Sequence, residues 1–150
     1  MTKEDRKNAY LYCKFRDEQF ALYDEYAKRH GMLMKTLLVV NILFYSEDGL
    51  TQTEICRKTF QSKQTVNLII KNLLANSYVT VTEVPENKRN KIVQMTEAGR
   101  AYCEKIVRHI TWAEDTAMSM FTPDEQQQLI DLSRTFTKNL TKLVNQEAEY

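Results

Sequence analysis

Apolar positions in this chain fall first at steps of three and four, then briefly at steps of two, then again at threes and fours. From about Lys3 to Arg29, Ala9, Tyr12, Cys13, Phe20, Tyr23 and Ala27 lie close to helical spacing with no Gly or Pro between them. This predicts one long helix, stopped by His30-Gly31, since Gly is favoured just past a helix C-terminus. A second helix, roughly Lys35 to Ser46, carries Leu37, Leu38, Val39, Val40, Ile42, Leu43 and Phe44 and is apolar on most sides, which predicts a central position. Glu47-Asp48-Gly49 breaks it. Thr51 and Glu54 have the spacing of a capping box, so a short helix begins there. After a turn near Thr59 to Gln61, Ser62 is the expected N-cap of a helix running to about Asn76, with Val66, Ile69, Ile70, Leu73 and Leu74 facing inward.

The period then changes. Tyr78 to Val84 is short and β-branched, Pro85 to Asn90 is polar, and Lys91 to Met95 is again strand-like, which predicts a two-stranded β-hairpin with a basic tip. Thr96 is placed to cap a long helix with a stripe at Ala98, Tyr102, Ile106, Ile110, Ala113, Ala117 and Met120. The last start signal is the clearest: Thr122 as N-cap, Pro123 at the first helical position, and Glu125 completing a capping box. The helix that follows has a narrow seam at Leu129, Leu132, Phe136, Leu140 and Leu143, suited to packing on another helix. No internal repeat or domain linker interrupts these elements.

Composition changes the picture in three ways. With 150 residues, 43% of them apolar, 27% charged and only three Gly and two Pro, the chain has the makings of a folded, mainly α domain and none of a low-complexity segment. No apolar run approaches the roughly 18 residues that span a bilayer, and Met1 to Lys7 is mixed in charge where a secretory signal begins basic and continues apolar. A cytoplasmic protein with no membrane partner is expected. Cys13, Cys56 and Cys103 are odd in number and contain no CxxC, so reduced thiols are expected rather than a disulfide framework or a zinc ribbon. Charge is the third. The net value of +1 conceals a basic centre, +5 between Ile55 and Met95, and an acidic tail, −4 between Ala113 and Tyr150. The basic centre points toward nucleic acid.

Helix, turn, helix and a hairpin with a basic tip is the arrangement of a winged helix-turn-helix, whose second helix enters the major groove while the hairpin reaches the adjacent minor groove. Setting Val66 at the buried centre of its helix, a 100° step per residue turns Gln64, Asn67, Leu68 and Lys71 outward. Gln64 and Asn67 carry amides able to bond adenine in a bidentate way. Ser62, Lys63 and Thr65 stand at the helix start, the end that meets the DNA backbone and the first base edges. Leu68 is a large apolar residue on a polar face; contact with thymine methyl groups would account for it, and with the two amides it predicts an A/T-rich half-site.

The chain resembles the MarR family of bacterial transcription regulators. The resemblance is carried by Leu50-Thr-Gln-Thr-Glu-Ile, Ser62-Lys-Gln-Thr-Val-Asn, Lys88-Arg89 and Met95-Thr-Glu-Ala-Gly99, with Gly31-Met32 and Phe121-Thr-Pro-Asp-Glu125 on the flanks. It implies a mainly α winged helix-turn-helix with long N- and C-terminal dimerisation helices and a two-stranded β-hairpin wing. Residues 1–34 would form an N-terminal dimerisation region, 35–99 the DNA-binding domain and 100–150 the C-terminal dimerisation helices, all in one compact chain. The resemblance further implies a homodimer that binds double-stranded DNA at an inverted repeat, usually as a repressor released by a small effector. Arg89 falls where the family places the arginine that enters the minor groove, and Lys88 and Lys91 would contact phosphate. The family usually has Asp two residues before that arginine, and Asn87 stands here, unable to form the corresponding ion pair. Leu68 stands where the family often carries Arg.

Effector chemistry is less legible. His30 and His109 are the two histidines, too few for the ligand sets of metal-sensing members, so neither metal nor cofactor is expected. Thiol sensing would need an exposed, low-pKa cysteine; Cys13 lies broadly where peroxide-sensing relatives keep theirs but is offset, and Cys56 and Cys103 read as small hydrophobes. Tyr10, Tyr12, Tyr23, Tyr26 and Tyr45 are placed either to line a pocket for a small aromatic or acyl effector or simply to pack with their hydroxyls at the surface. No phosphate loop, nucleophile elbow or HExxH is present, so an enzyme is not expected. The competing class is a winged-helix adaptor or antirepressor that uses Leu68 for protein contacts.

Overall fold

The computed structural model describes residues 1–146, apart from the Lys88 side chain. Among these residues the order is α1 (Lys3–Arg29), α2 (Met34–Phe44), β1 (Leu50–Thr51), α3 (Gln52–Thr59), α4 (Lys63–Ala75), β2 (Val79–Val84), β3 (Asn87–Met95), α5 (Glu97–Ser119) and α6 (Pro123–Val144). The chain divides into two compact units, Met1–Arg108 and a second beginning at His109.

In the first unit the apolar run on α2 has the central place its composition demands. Leu37, Val39, Val40, Leu43 and Phe44 are buried, and the last four meet Ile55 of α3, Val66, Ile70 and Leu73 of α4, Val79 and Val93 of the sheet, and Cys103 and Val107 of α5. Each such aliphatic contributes about 1.5–3 kcal/mol on burial, so this cluster holds the helix-turn-helix to the wing. Arg100 and Arg108 of α5 both approach the Phe44 ring, at 5.1 and 5.6 Å from its centroid, and so flank the buried ring with cations. α1 begins at a Thr2–Asp5 capping box and buries Tyr26 and Ala27 near its C-terminal end, where the Tyr26 hydroxyl donates to the Ile106 carbonyl at 2.8 Å. Gly31, with φ of 72°, turns the chain out of that helix.

The wing is larger than the hairpin expected from sequence. β1 adds a third strand, pairing antiparallel with β3 through Leu50↔Val93 and Thr51↔Ile92, so the order is β1-β3-β2. Two residues are too few to show an alternating pattern, and their capping signal masks them. Gly49 delivers β1 to this position: its φ is 75°, and a Cβ there would lie 2.6 Å from the Val93 carbonyl oxygen. Gln94 ties the same loop down by donating to the Glu47 carbonyl at 2.7 Å.

Two helix faces also differ from expectation. Leu74 is 47% exposed rather than inside, because it lies about 80° around α4 from Val66, at the rim of the buried stripe. On α5 the buried residues are Gly99, Cys103, Ile106 and Val107, so of the expected stripe only Ile106 is buried. The phase is set by Gly99, whose backbone packs on the Tyr78 carbonyl where a side chain would collide. Ala98 is left exposed, and Tyr102 stacks on Tyr78 at 4.4 Å instead of entering the core. Thr96 caps α5 as expected, accepting from Gly99 N–H at 3.0 Å while donating to the Ser77 carbonyl at 2.7 Å.

In the second unit, Thr122 and Glu125 close a reciprocal capping box with Pro123 in the first turn of α6. Gln126 donates to the carbonyls of Met118 and Phe121, both at 3.1 Å, and so clamps the turn that precedes it. No described residue of α6 is buried.

Candidate nucleic-acid interface

The site begins with the phase of α4. Val66, Ile69, Ile70 and Leu73 are buried, which turns Gln64, Asn67, Leu68 and Lys71 to solvent as a helix of that pitch requires. Ser62 holds the start of the helix. Its hydroxyl oxygen accepts from Thr65 N–H at 3.2 Å, and the hydroxyls of Ser62 and Thr65 bond to each other at 2.9 Å. These two side chains are thus engaged in building the N-terminus, while Lys63 and Gln64 beside them are exposed. Gln52, at the first position of α3, donates weakly to the Lys63 carbonyl at 3.4 Å and ties the two helices of the motif together.

The wing supplies the second wall. β2 and β3 pair in register from Val79↔Met95 to Glu83↔Lys91, after which Val84 pairs with Asn87. The two-residue turn Pro85-Glu86 closes the hairpin, and Lys88, Arg89 and Asn90 form a bulge on β3. A bulge re-aims side chains at a strand end, and here it lifts Arg89 out of the ladder. Asn87 shapes it: its side-chain oxygen accepts from Arg89 N–H at 3.2 Å, a local Asx-type turn. The residue that cannot form the expected ion pair therefore still fixes the backbone of Arg89. The Lys88 side chain, expected to contact phosphate, lies outside the described residues.

Between α4 and the wing lies an open cleft of about 430 Å3. Asn67, Lys71 and Leu74 of α4 form one side, and Val81, Glu83, Arg89 and Lys91 of the wing form the other, with Gln52 also lining it. Of the ten residues expected to contact DNA, four line this cleft, Asn67, Lys71, Arg89 and Lys91, while Leu68, 62% exposed, is on the outward face of α4. Gln52 and Glu83 were not anticipated. Gln52 is hidden in the sequence as a first-turn residue next to a cap, and Glu83 becomes visible only once the hairpin register sets it against Lys91.

Elsewhere the chemistry is quiet. Among the described residues no group of three or more His, Cys, Asp or Glu is gathered to hold a metal ion. Cys103 is buried, and burial pushes its thiol up to about 11, far from a reactive thiolate. Cys13 and Cys56 are half-buried. Of the tyrosines named for an effector pocket, Tyr26 is committed to α5 through its hydroxyl, while Tyr10, Tyr12 and Tyr45 are exposed. No described helix is long and apolar enough to cross a membrane.

The comparisons with known proteins agree with this geometry. Residues 30–90 match the MarR family model. The HTH-type transcriptional regulator SarZ of Staphylococcus epidermidis is 27% identical over 128 residues, covering 81% of each chain. Among solved structures, AbsC, a MarR family transcriptional regulator from Streptomyces coelicolor, superposes with a TM-score of 0.79 at 14% identity, over 95% of this chain and 97% of that one. MepR of Staphylococcus aureus, solved in complex with DNA, gives 0.68 at 21% identity over 89% and 96%. The two structures establish the fold, a mainly helical winged helix-turn-helix. The helix-turn-helix and most of the wing thus match the MarR family model, and the chain as a whole is similar to SarZ, a transcription regulator.

Proposed function

We propose that this protein is a sequence-reading repressor that binds an A/T-rich inverted repeat in double-stranded DNA as a homodimer and is released by a small effector. One observation carries the reading: the polar face of α4 and the basic bulge of the wing form two walls of one cleft, with Lys71, Arg89 and Lys91 lining it. A helix in the major groove and a hairpin in the next minor groove straddle a single phosphate strand, and such a cleft suits that strand. Gln64 and Asn67 would bond adenine edges, Leu68 would contact thymine methyls, and Ser62, Lys63 and Thr65 would lie at the backbone. Arg89 would enter the minor groove, with Lys88 and Lys91 on phosphate. The MepR complex supports this use of the fold.

The homodimer is supported by apolar surface that a single chain leaves in water. Leu132 and Leu143 of α6 are 71% and 61% exposed, and Tyr10, Phe15, Phe20 and Leu22 of α1 are exposed as well. Long helices with open apolar seams are covered most simply by a second copy. Exposed Tyr10, Tyr12 and Tyr45, with half-buried Tyr23, suit a small aromatic or acyl effector.

The deciding experiment is selection of sites by the purified protein from a random duplex pool, followed by titration of the best site across a salt series. An enriched A/T-rich inverted repeat with steep salt dependence is expected. No enrichment, with weak binding to any duplex, would overturn the reading in favour of a winged-helix adaptor.

A further inference from the structure

The cleft contains one group of the wrong sign for a phosphate. Among its described lining residues Glu83 is the single carboxylate, sharing the space with Lys71, Arg89 and Lys91. The hairpin register sets it directly opposite Lys91. Folding does not require a carboxylate there. Residue 83 is exposed, and the other exposed positions on β2, Thr80 and Thr82, are neutral. Side chains alternate along a strand, so Val81 and Glu83 share the cleft face, and a neutral side chain at 83 would pack equally well.

We propose that Glu83 is a built-in competitor of the DNA phosphate that holds down affinity for every sequence alike. In the free protein its carboxylate attracts the same cations that a phosphate strand would use. On binding, the strand must share those cations with Glu83 and lie beside a like charge. Phosphate contacts carry no sequence information, and genomic DNA offers a vast excess of wrong sites. Weakening the sequence-independent part loosens the hold on right and wrong sites by the same factor, and the ratio between them stays with the base contacts of α4. A single like charge within the same surface cleft alters affinity by about three- to tenfold at low salt, less as salt screens it.

This inference rests on the cleft being a DNA site, and the test separates the two. The full-length protein and its Glu83→Gln and Glu83→Asp variants are titrated against the selected operator and a scrambled duplex over a salt series. Glu83→Gln is expected to bind both duplexes about fivefold tighter at low salt, with the gain fading as salt rises and the operator preference unchanged. Glu83→Asp, which keeps the charge, is expected to stay near the parent. Equal or weaker binding by Glu83→Gln, or equal tightening by Glu83→Asp, overturns the role of Glu83. Binding of neither duplex by the parent protein overturns the DNA reading itself, and this inference with it.

Discussion

Leu68 stands 62% exposed among polar neighbours on α4. A lone exposed leucine is ordinary, but this one shares its face with Gln64 and Asn67, where burial against a thymine methyl would remove apolar surface from water. Leu68→Ala is expected to leave folding unchanged and to reduce discrimination at one base pair of each half-site by about fivefold, a change read by titrating single-base operator variants. Unchanged discrimination would exclude Leu68 from base contact. Arg89 acts differently. Its backbone is held by Asn87 at the wing bulge, so Arg89→Ala removes the side chain from a wing that keeps its shape, and binding should fall by about tenfold or more. An unchanged dissociation constant would show that the wing does not read DNA. The outward set on α4 was legible from sequence because four buried branched residues determine that helix's phase. Gln52 and Glu83 were not, because each reaches the cleft through an approach between elements distant in sequence.

At the scale of elements, the helix starts were the most legible features, since a cap is written within four residues. Thr51, Ser62, Thr96 and Thr122 all cap as read. β1 was not legible, because two residues gain their strand character from β3 some forty positions later. The Thr51–Glu54 box has a further consequence, since it joins β1 to the helix-turn-helix. The Thr51 N–H bonded to the Glu54 carboxylate at 2.7 Å holds that group below its ordinary value of 4.5. A depressed carboxylate contributes stability above its unfolded pKa and loses it as pH falls through the folded value. Glu54→Ala, which removes the carboxylate, is expected to cost about 1 kcal/mol at neutral pH, measured by urea denaturation, and the deficit should shrink as pH falls below 4.5, where the parent carboxylate is protonated and loses the same interaction. A deficit independent of pH would mean that the charge of Glu54 adds nothing to the cap.

For the whole molecule the governing fact is apolar surface without cover. α6 buries none of its described residues, yet its seam keeps the three-and-four spacing of a helix that packs against another. Placing charge on that seam tests its purpose. A Leu132→Glu, Leu143→Glu double variant should lose little stability as a single chain, because both residues already face water, at 71% and 61% exposure. If the seam joins two copies, the variant should sediment as a monomer where the parent sediments as a dimer. Linking two reading heads makes the second contact effectively intramolecular, so the monomer should bind the inverted repeat about a hundredfold more weakly while binding an isolated half-site as the parent does. Dimers that persist in the double variant would assign the interface to α1, where Tyr10, Phe15 and Phe20 are also exposed. Equal loss on the half-site and the full repeat would point instead to damage within the reading head, which the unaltered thermal transition of a folded monomer would exclude.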